Sequence, residues 1–168
     1  MKKLGTLGRR WVLTFHVLFA SIWIGTALSI NLILLLKGVP PTEKELYAIA
    51  MSVKVLDDFL IIPSAMGIMV TGLLISMMTK WGFFKFYWVT VKWVITLALL
   101  ISGTFWLFPW LNNIIDLSNK QTPLVLQGSA YMYYRTMLLV VGNAQALVLL
   151  LLVLISVFKP WGESRKVR

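Results

Sequence analysis

The sequence predicts an all-α integral membrane four-helix bundle, and three observations carry that prediction. The apolar residues fall in four long blocks, Trp11–Leu36, Phe59–Met78, Phe83–Trp110 and Ala130–Phe158. Each block reaches about the 20 residues that an α-helix needs to cross ~30 Å of hydrocarbon. Charged residues make up only 13% of the chain and hydrophobic residues 59%, and the mean hydropathy is +0.83. Soluble domains carry about a quarter charged residues, and a soluble bundle would show a polar face on every helix. The third observation is where the basic residues fall.

Lys2, Lys3, Arg9 and Arg10 precede the first block, Lys80 and Lys85 bracket the second turn, and Lys159, Arg165, Lys166 and Arg168 follow the last block. Ten of the sixteen basic residues thus lie on one side. The other connections balance Lys37, Lys44, Lys54 and Lys120 with Glu43, Glu45, Asp57, Asp58 and Asp116. The positive-inside rule places both termini in the cytoplasm of a multi-pass protein. The net charge of +10 therefore meets anionic lipid headgroups, not nucleic acid.

Element by element, the four helices are expected at about 11–37, 43–79, 83–110 and 128–158, as a single domain spanning 1–168. The start "MKKLGTLGRRWVLTFHVLFASIWIG" imitates a signal peptide. Its apolar stretch is too long, and no small-x-small site leads into a polar chain, so it reads as an uncleaved first helix. That helix ends near Lys37-Gly38, before "VPP", which cannot continue it. "TEKE" is a capping box, with Thr42 as N-cap and Glu45 at the third position. Glu43–Asp58 is amphipathic, so helix two begins outside the bilayer, and Pro63 predicts a kink within it. The inner turn "TKWGFFK" is short. The outer segment Asn112–Gln127, polar and containing Pro123, is the longest connection. There is no cysteine, hence no disulfide and no thiolate metal site.

Ionisable side chains inside membrane helices are functional candidates, because a charge at the helix centre costs about 2.5–3.5 kcal/mol on insertion scales. Three stand out: His16, Lys92 and Arg135. His16 lies about 9 Å past Arg10 and Lys92 about 10 Å past Lys85, a similar depth in the cytoplasmic half. They are expected to face one interior space between helices one and three. Arg135 enters from the other side, near Asp57 and Asp58, and an ion pair with one of them is expected.

At 100° per residue, His16 shares a face with Ala20, Trp23, Ala27 and Asn31. Ser21, Gly25 and Ser29 form a second stripe of small residues, expected to pack closely against another helix. Lys92 aligns with Lys85, Trp88, Thr96, Gly103, Trp106 and Trp110. Each feature also has a structural reading. His16 can serve as an interhelical hydrogen bond, Lys92 can snorkel to the headgroups, and the tryptophans can pack or form an interfacial belt. Met66, Met69, Met77 and Met78 offer thioethers that suit Cu(I), but no cysteine or second histidine joins them.

The string H-x-x-x-A-x-x-W-x-G in "HVLFASIWIG" is similar to the first helix of a superfamily of small four-helix membrane proteins. That superfamily includes HemJ-type protoporphyrinogen oxidases and CopD-like copper-resistance proteins. "IIPSAMGIMVTGLLIS" resembles its proline-then-glycine second helix, and Lys92 in "WVTVKWVITLALL" falls where HemJ-like chains carry a lysine. The resemblance covers about the first three helices. It implies that His16 is an axial ligand of haem b and that Lys92 partners a propionate. Trp23 and Trp88 would line the pocket, and the substrate of an oxidoreductase would be a tetrapyrrole. With one histidine per chain, iron would be five-coordinate, use methionine, or take His16 from a second protomer of a homodimer. The rival reading is a cofactor-free transport component or assembly factor. There His16, Lys92, Arg135 and Asn143 form polar contacts between helices. Whether the chain is an enzyme stays open at this level.

Overall fold

The computed structural model describes residues 5–79, 82–119, 126 and 128–161. Four helices in this range are long and apolar enough to cross a membrane: α1 (Thr6–Lys37), α2 (Glu43–Met78), α3 (Tyr87–Asn119) and α4 (Ser129–Phe158). The four-span, multi-pass architecture read from the apolar blocks is present. The outward surface is apolar, with Leu36, Phe59 and Phe158 about three-quarters exposed. That is how a chain presents itself to lipid, where every backbone polar group must bond within its own helix.

Helix ends follow local chemistry. Gly38 takes a positive φ of 60° just past α1, the backbone conformation that glycine reaches without a Cβ penalty. Thr42 caps α2, its hydroxyl accepting from the Glu45 amide at 3.2 Å. Lys37 and Glu45 face each other at 4.0 Å across this turn.

Two helices contain a π turn, Asp57–Ile61 in α2 and Gly103–Leu107 in α3. Each precedes a proline by two residues, Pro63 and Pro109. A proline inside a helix lacks an N–H, and its ring crowds the carbonyl four residues back. Widening the preceding turn to an i→i+5 bond relieves that crowding. Ile62 N–H accordingly donates to Asp57 O, and Phe108 N–H to Gly103 O. The irregularity expected at Pro63 thus takes the form of a π turn, and Pro109 repeats it.

The expected end of the third helix near residue 110 is corrected. Helix continues from Phe108 to Asn119, burying Leu111, Ile114, Ile115 and Ser118. These residues keep helical spacing, and Leu111, Ile114 and Ile115 pack in one cluster with Leu46, Ala50 and Val53 of α2. Asn112, Asn113 and Asp116 interrupt the apolar run without interrupting that period. The remainder of the expected outer connection, including Pro123, lies outside the described residues, as do Lys80 and Trp81 of the inner turn.

Neighbours run in order around the bundle. α1 packs on α2 and α4, and α3 packs on α2 and α4. Helices one and three are therefore diagonal, as are two and four. α1 and α2 are in tight contact where Gly67 meets Phe19. A Cβ on Gly67 would lie 2.5 Å from the ring. The Ser21–Gly25–Ser29 stripe does not make this contact, contrary to expectation. It is exposed, a Cβ on Gly25 would meet no other helix within 4 Å, and both serine hydroxyls bond their own helix. The opposite face turns inward, burying Trp23, Thr26 and Asn31.

Candidate functional site

His16 sits on the inward face of α1 in the half of the bundle that contains the chain's described ends. Its Nδ1 lies 2.8 Å from Thr71 Oγ1 on α2. The Thr71 hydroxyl has one proton, directed to the Gly67 carbonyl at 2.6 Å, with Ile68 O at 3.3 Å. With its own proton so committed, Thr71 Oγ1 is an acceptor at Nδ1, and the tautomer it favours is Nδ1–H, which leaves the lone pair on Nε2. Gly72 packs against the ring, where a Cβ would stand in ordinary contact, 3.5 Å from His16 Cε1.

Lys92 reaches a different helix. Its Nζ donates to Ser156 Oγ on α4 at 2.6 Å, and Ser156 in turn donates to Leu152 O at 2.7 Å. The ammonium stands 5.9 Å from the Trp88 ring centroid, within cation–π range. Lys159 Nζ stands at the same distance from that ring. Trp93 bridges α3 to α2, its Nε1 donating to Ser76 Oγ at 3.0 Å.

The four sequence candidates therefore divide. His16, Lys92 and Trp88 share the inner half, although His16 and Lys92 bond different neighbours across a diagonal, not one facing interface. Trp23 lies about 10 Å further along α1, buried in a cluster with Ala65, Leu99, Leu149 and Leu152. Thr71, Ser76 and Ser156 were not singled out from the sequence. Their signal is a lone hydroxyl within an apolar run, which is also the commonest way such residues occur with no partner but their own helix.

Arg135 does not pair with Asp57 or Asp58. Its Nε donates to Gly38 O at 3.1 Å and its Nη2 to Leu34 O at 3.3 Å. The diagonal placement of α2 and α4 accounts for this, and the C-terminal end of α1 is the acceptor within reach. A guanidinium there satisfies carbonyls that have no helical partner and complements the negative end of the helix dipole. Asp58 pairs with Lys54 at 3.2 Å. Asn143 donates to Leu139 O of its own helix.

A cavity of about 60 Å³ opens in the middle of the bundle, between the two π turns, bordered by Trp23, Asn31, Asp57, Leu107 and Gln145. A smaller one of about 20 Å³ lies beneath Arg135. Neither touches His16, Lys92 or Trp88. No family model, curated protein or solved structure matches the chain.

Proposed function

We propose that the chain is a haem-binding protein of the bacterial inner membrane, of the HemJ and CopD-like kind that its first three helices resemble. Both termini face the cytoplasm, where the basic residues of the ends and inner turn meet anionic headgroups. The single observation that carries the reading is the bonding of His16. An imidazole whose Nδ1–H is held by a neighbouring oxygen presents Nε2 as a ligand, which is how metal-bound histidines are oriented. Thr71 is that neighbour.

The donor chemistry fits haem b. His16 would hold the iron, Thr71 would fix the ring, and Lys92 would offer its charge to a propionate. When bound, haem supplies one-electron chemistry that no side chain here provides. The described cavities do not supply the room. Ligand pockets of this class run to about 300–1,000 Å³ and neither cavity touches His16, so the helices around His16 would have to part to admit the group.

A second reading is favoured by Lys92. Its bond to Ser156, with those of His16 to Thr71 and Trp93 to Ser76, links helix pairs without any cofactor. A transport component or assembly factor would use them as interhelical glue.

Absorbance and melting, measured together on detergent-purified protein from haem-replete cells, separate the two. The expected result is a Soret band that His16→Ala abolishes while the variant still inserts. Lys92→Ala should lose less haem, because a propionate contact near the interface is partly solvated. A colourless wild type, with His16→Ala only lowering the melting temperature, would establish the second reading instead.

A further inference from the structure

The two cavities of this bundle share a wall. Leu34, Leu111 and Leu138 border both the mid-bundle cavity of about 60 Å³ and the cavity of about 20 Å³ beneath Arg135. They come from α1, α3 and α4, and Leu111 and Leu138 are buried. On the far side of this wall the smaller cavity is bordered by Lys37, Gly38 and Pro40, where α1 ends, and by Arg135. Two spaces thus follow one another from the outer end of the bundle towards its middle, divided by one layer of leucine side chains.

The three leucines are not held alike. Leu34 and Leu138 belong to α1 and α4, which are α-helical throughout. Arg135 of α4 ties these two helices together, through Leu34 O at 3.3 Å and Gly38 O at 3.1 Å. Leu111 stands on the outer part of α3, beyond the Gly103–Leu107 π turn and Pro109. There Leu111, Ile114 and Ile115 pack on Leu46, Ala50 and Val53 in the outer part of α2. Lys54 Nζ, 4.6 Å from the Phe108 ring centroid, adds a second tie between the two outer parts. The outer part of α2 joins the rest of its helix through the other π turn, Asp57–Ile61, followed by Pro63. Asp57, Ile61 and Leu107 of the two π turns border the mid-bundle cavity, so both turns lie at its level. Each proline removes a helical hydrogen bond, and prolines and π turns are where helices bend. The outer parts of α2 and α3 are therefore one packed pair with a bend point at the inner end of each.

We propose that Leu34, Leu111 and Leu138 form an apolar gate that closes the mid-bundle cavity from the outer face. Leu111 is its moving leaf, carried by the outer parts of α2 and α3 as they bend at the two π turns. Closed, the gate presents only aliphatic surface, and hydrophobic constrictions of this kind exclude water by dewetting. Open, it admits water and small hydrated solutes to a space bordered by Trp23, Asp57 and Gln145. Neither cavity touches His16, so the gate stands whether or not haem binds there.

Thiol blocking by Ag⁺, which travels through water and not through lipid, tests it on the full-length protein in sealed vesicles in nitrate buffer. The chain has no cysteine, so a single one reports on its own position. Ala27→Cys places a thiol at the mid-bundle cavity, and Lys44→Cys places one on the exposed start of α2. From the face that reaches Lys44→Cys, Ag⁺ should block Ala27→Cys at least about tenfold more slowly. Adding Leu111→Ala should speed the blocking of Ala27→Cys at least about tenfold, because truncating a buried leucine weakens the closed packing. Should that variant fail to insert, Leu34→Ala, at a half-buried position, provides the same test. Leu149→Ala is an equal truncation in the buried cluster with Trp23 and Leu99, and it should leave the rate unchanged. Pro109→Ala returns an N–H to the bend in α3 and should slow the blocking. Equal rates for Ala27→Cys and Lys44→Cys would mean that no barrier exists. No gain with either gate variant would put the barrier elsewhere, and an equal gain with Leu149→Ala would mean general loosening. Blocking from the opposite face alone would put the entrance at the inner end, and no slowing with Pro109→Ala would mean that Leu111 does not move about this turn. Each of these overturns the proposal.

Discussion

The inner half and the middle of this bundle handle buried polar groups in opposite ways. In the inner half, His16, Lys92 and Trp93 each meet a hydroxyl on a neighbouring helix, Thr71, Ser156 and Ser76 in turn. Thr71 and Ser156 are anchored to their own backbone as well. In the middle, Asn31 Oδ1 has no donor and Asp57 no ion pair among the described residues. The inner half is built of regular α-helix, whereas the middle is flanked by two π turns. Desolvated polar groups that bond one another rigidify a structure. Those left over are tolerated where a ligand or water completes them. The contrast marks the inner half as closed and fixed, and the middle as open to an occupant.

Two glycines break or sharpen that contrast. Gly67→Ala should have the larger effect, about 2–3 kcal/mol of destabilisation, because its Cβ would enter the Phe19 ring, 2.5 Å away at Cδ2 and 2.6 Å at Cγ. The Cγ atom moves only if χ1 changes, so either the whole Phe19 ring leaves its rotamer or α1 and α2 separate. Gly142→Ala meets an atom nearly as close, Asn31 Oδ1 at 2.7 Å. That amide borders a cavity and can turn into it, at the cost of its bond to Ala27. About 1 kcal/mol or less is expected. Thermal melting of both variants under one set of conditions checks the order. Equal losses would mean that the middle is as tightly packed as the inner half.

Much of this was legible in the sequence, for physical reasons that differ by element. Apolar blocks longer than a bilayer is thick announce spans, and the His16–Ala20–Trp23–Ala27–Asn31 face is the one α1 turns inward, away from lipid. The extension of α3 to Asn119 was hidden because polar residues on its outer face broke a count of consecutive apolar residues. Periodicity, not run length, carries that helix. The Arg135 contact was misread because depth alone says nothing of which helices are adjacent. Two residues at one level of a four-helix bundle can lie across its diagonal, and chain order does not give the ring of neighbours without packing. The cavity was out of reach for a related reason: Asn31, Asp57 and Gln145 come from three helices, and only Asp57 carries a charge to draw notice.

The smallest expected effect bears on the closed half and on the tautomer of His16. Thr71→Val keeps the shape of the side chain and removes its hydroxyl, so the imidazole loses one partner and the core loses no volume. Hydrogen bonds between membrane helices average about 0.6 kcal/mol by double-mutant cycles, and a loss of that order is expected in melting. The more informative readout is the ring itself. With Thr71 present, the acceptor at Nδ1 holds its proton there, and ¹⁵N chemical shifts should report mostly the Nδ1–H form. In Thr71→Val that acceptor is gone, so the Nε2–H form should gain population, and Thr71→Ser should restore the wild-type spectrum. A histidine that merely fills space would show no change of tautomer with any of the three residues. In that case Thr71 does not orient the ring, and the argument that Nε2 stands ready for a ligand fails with it.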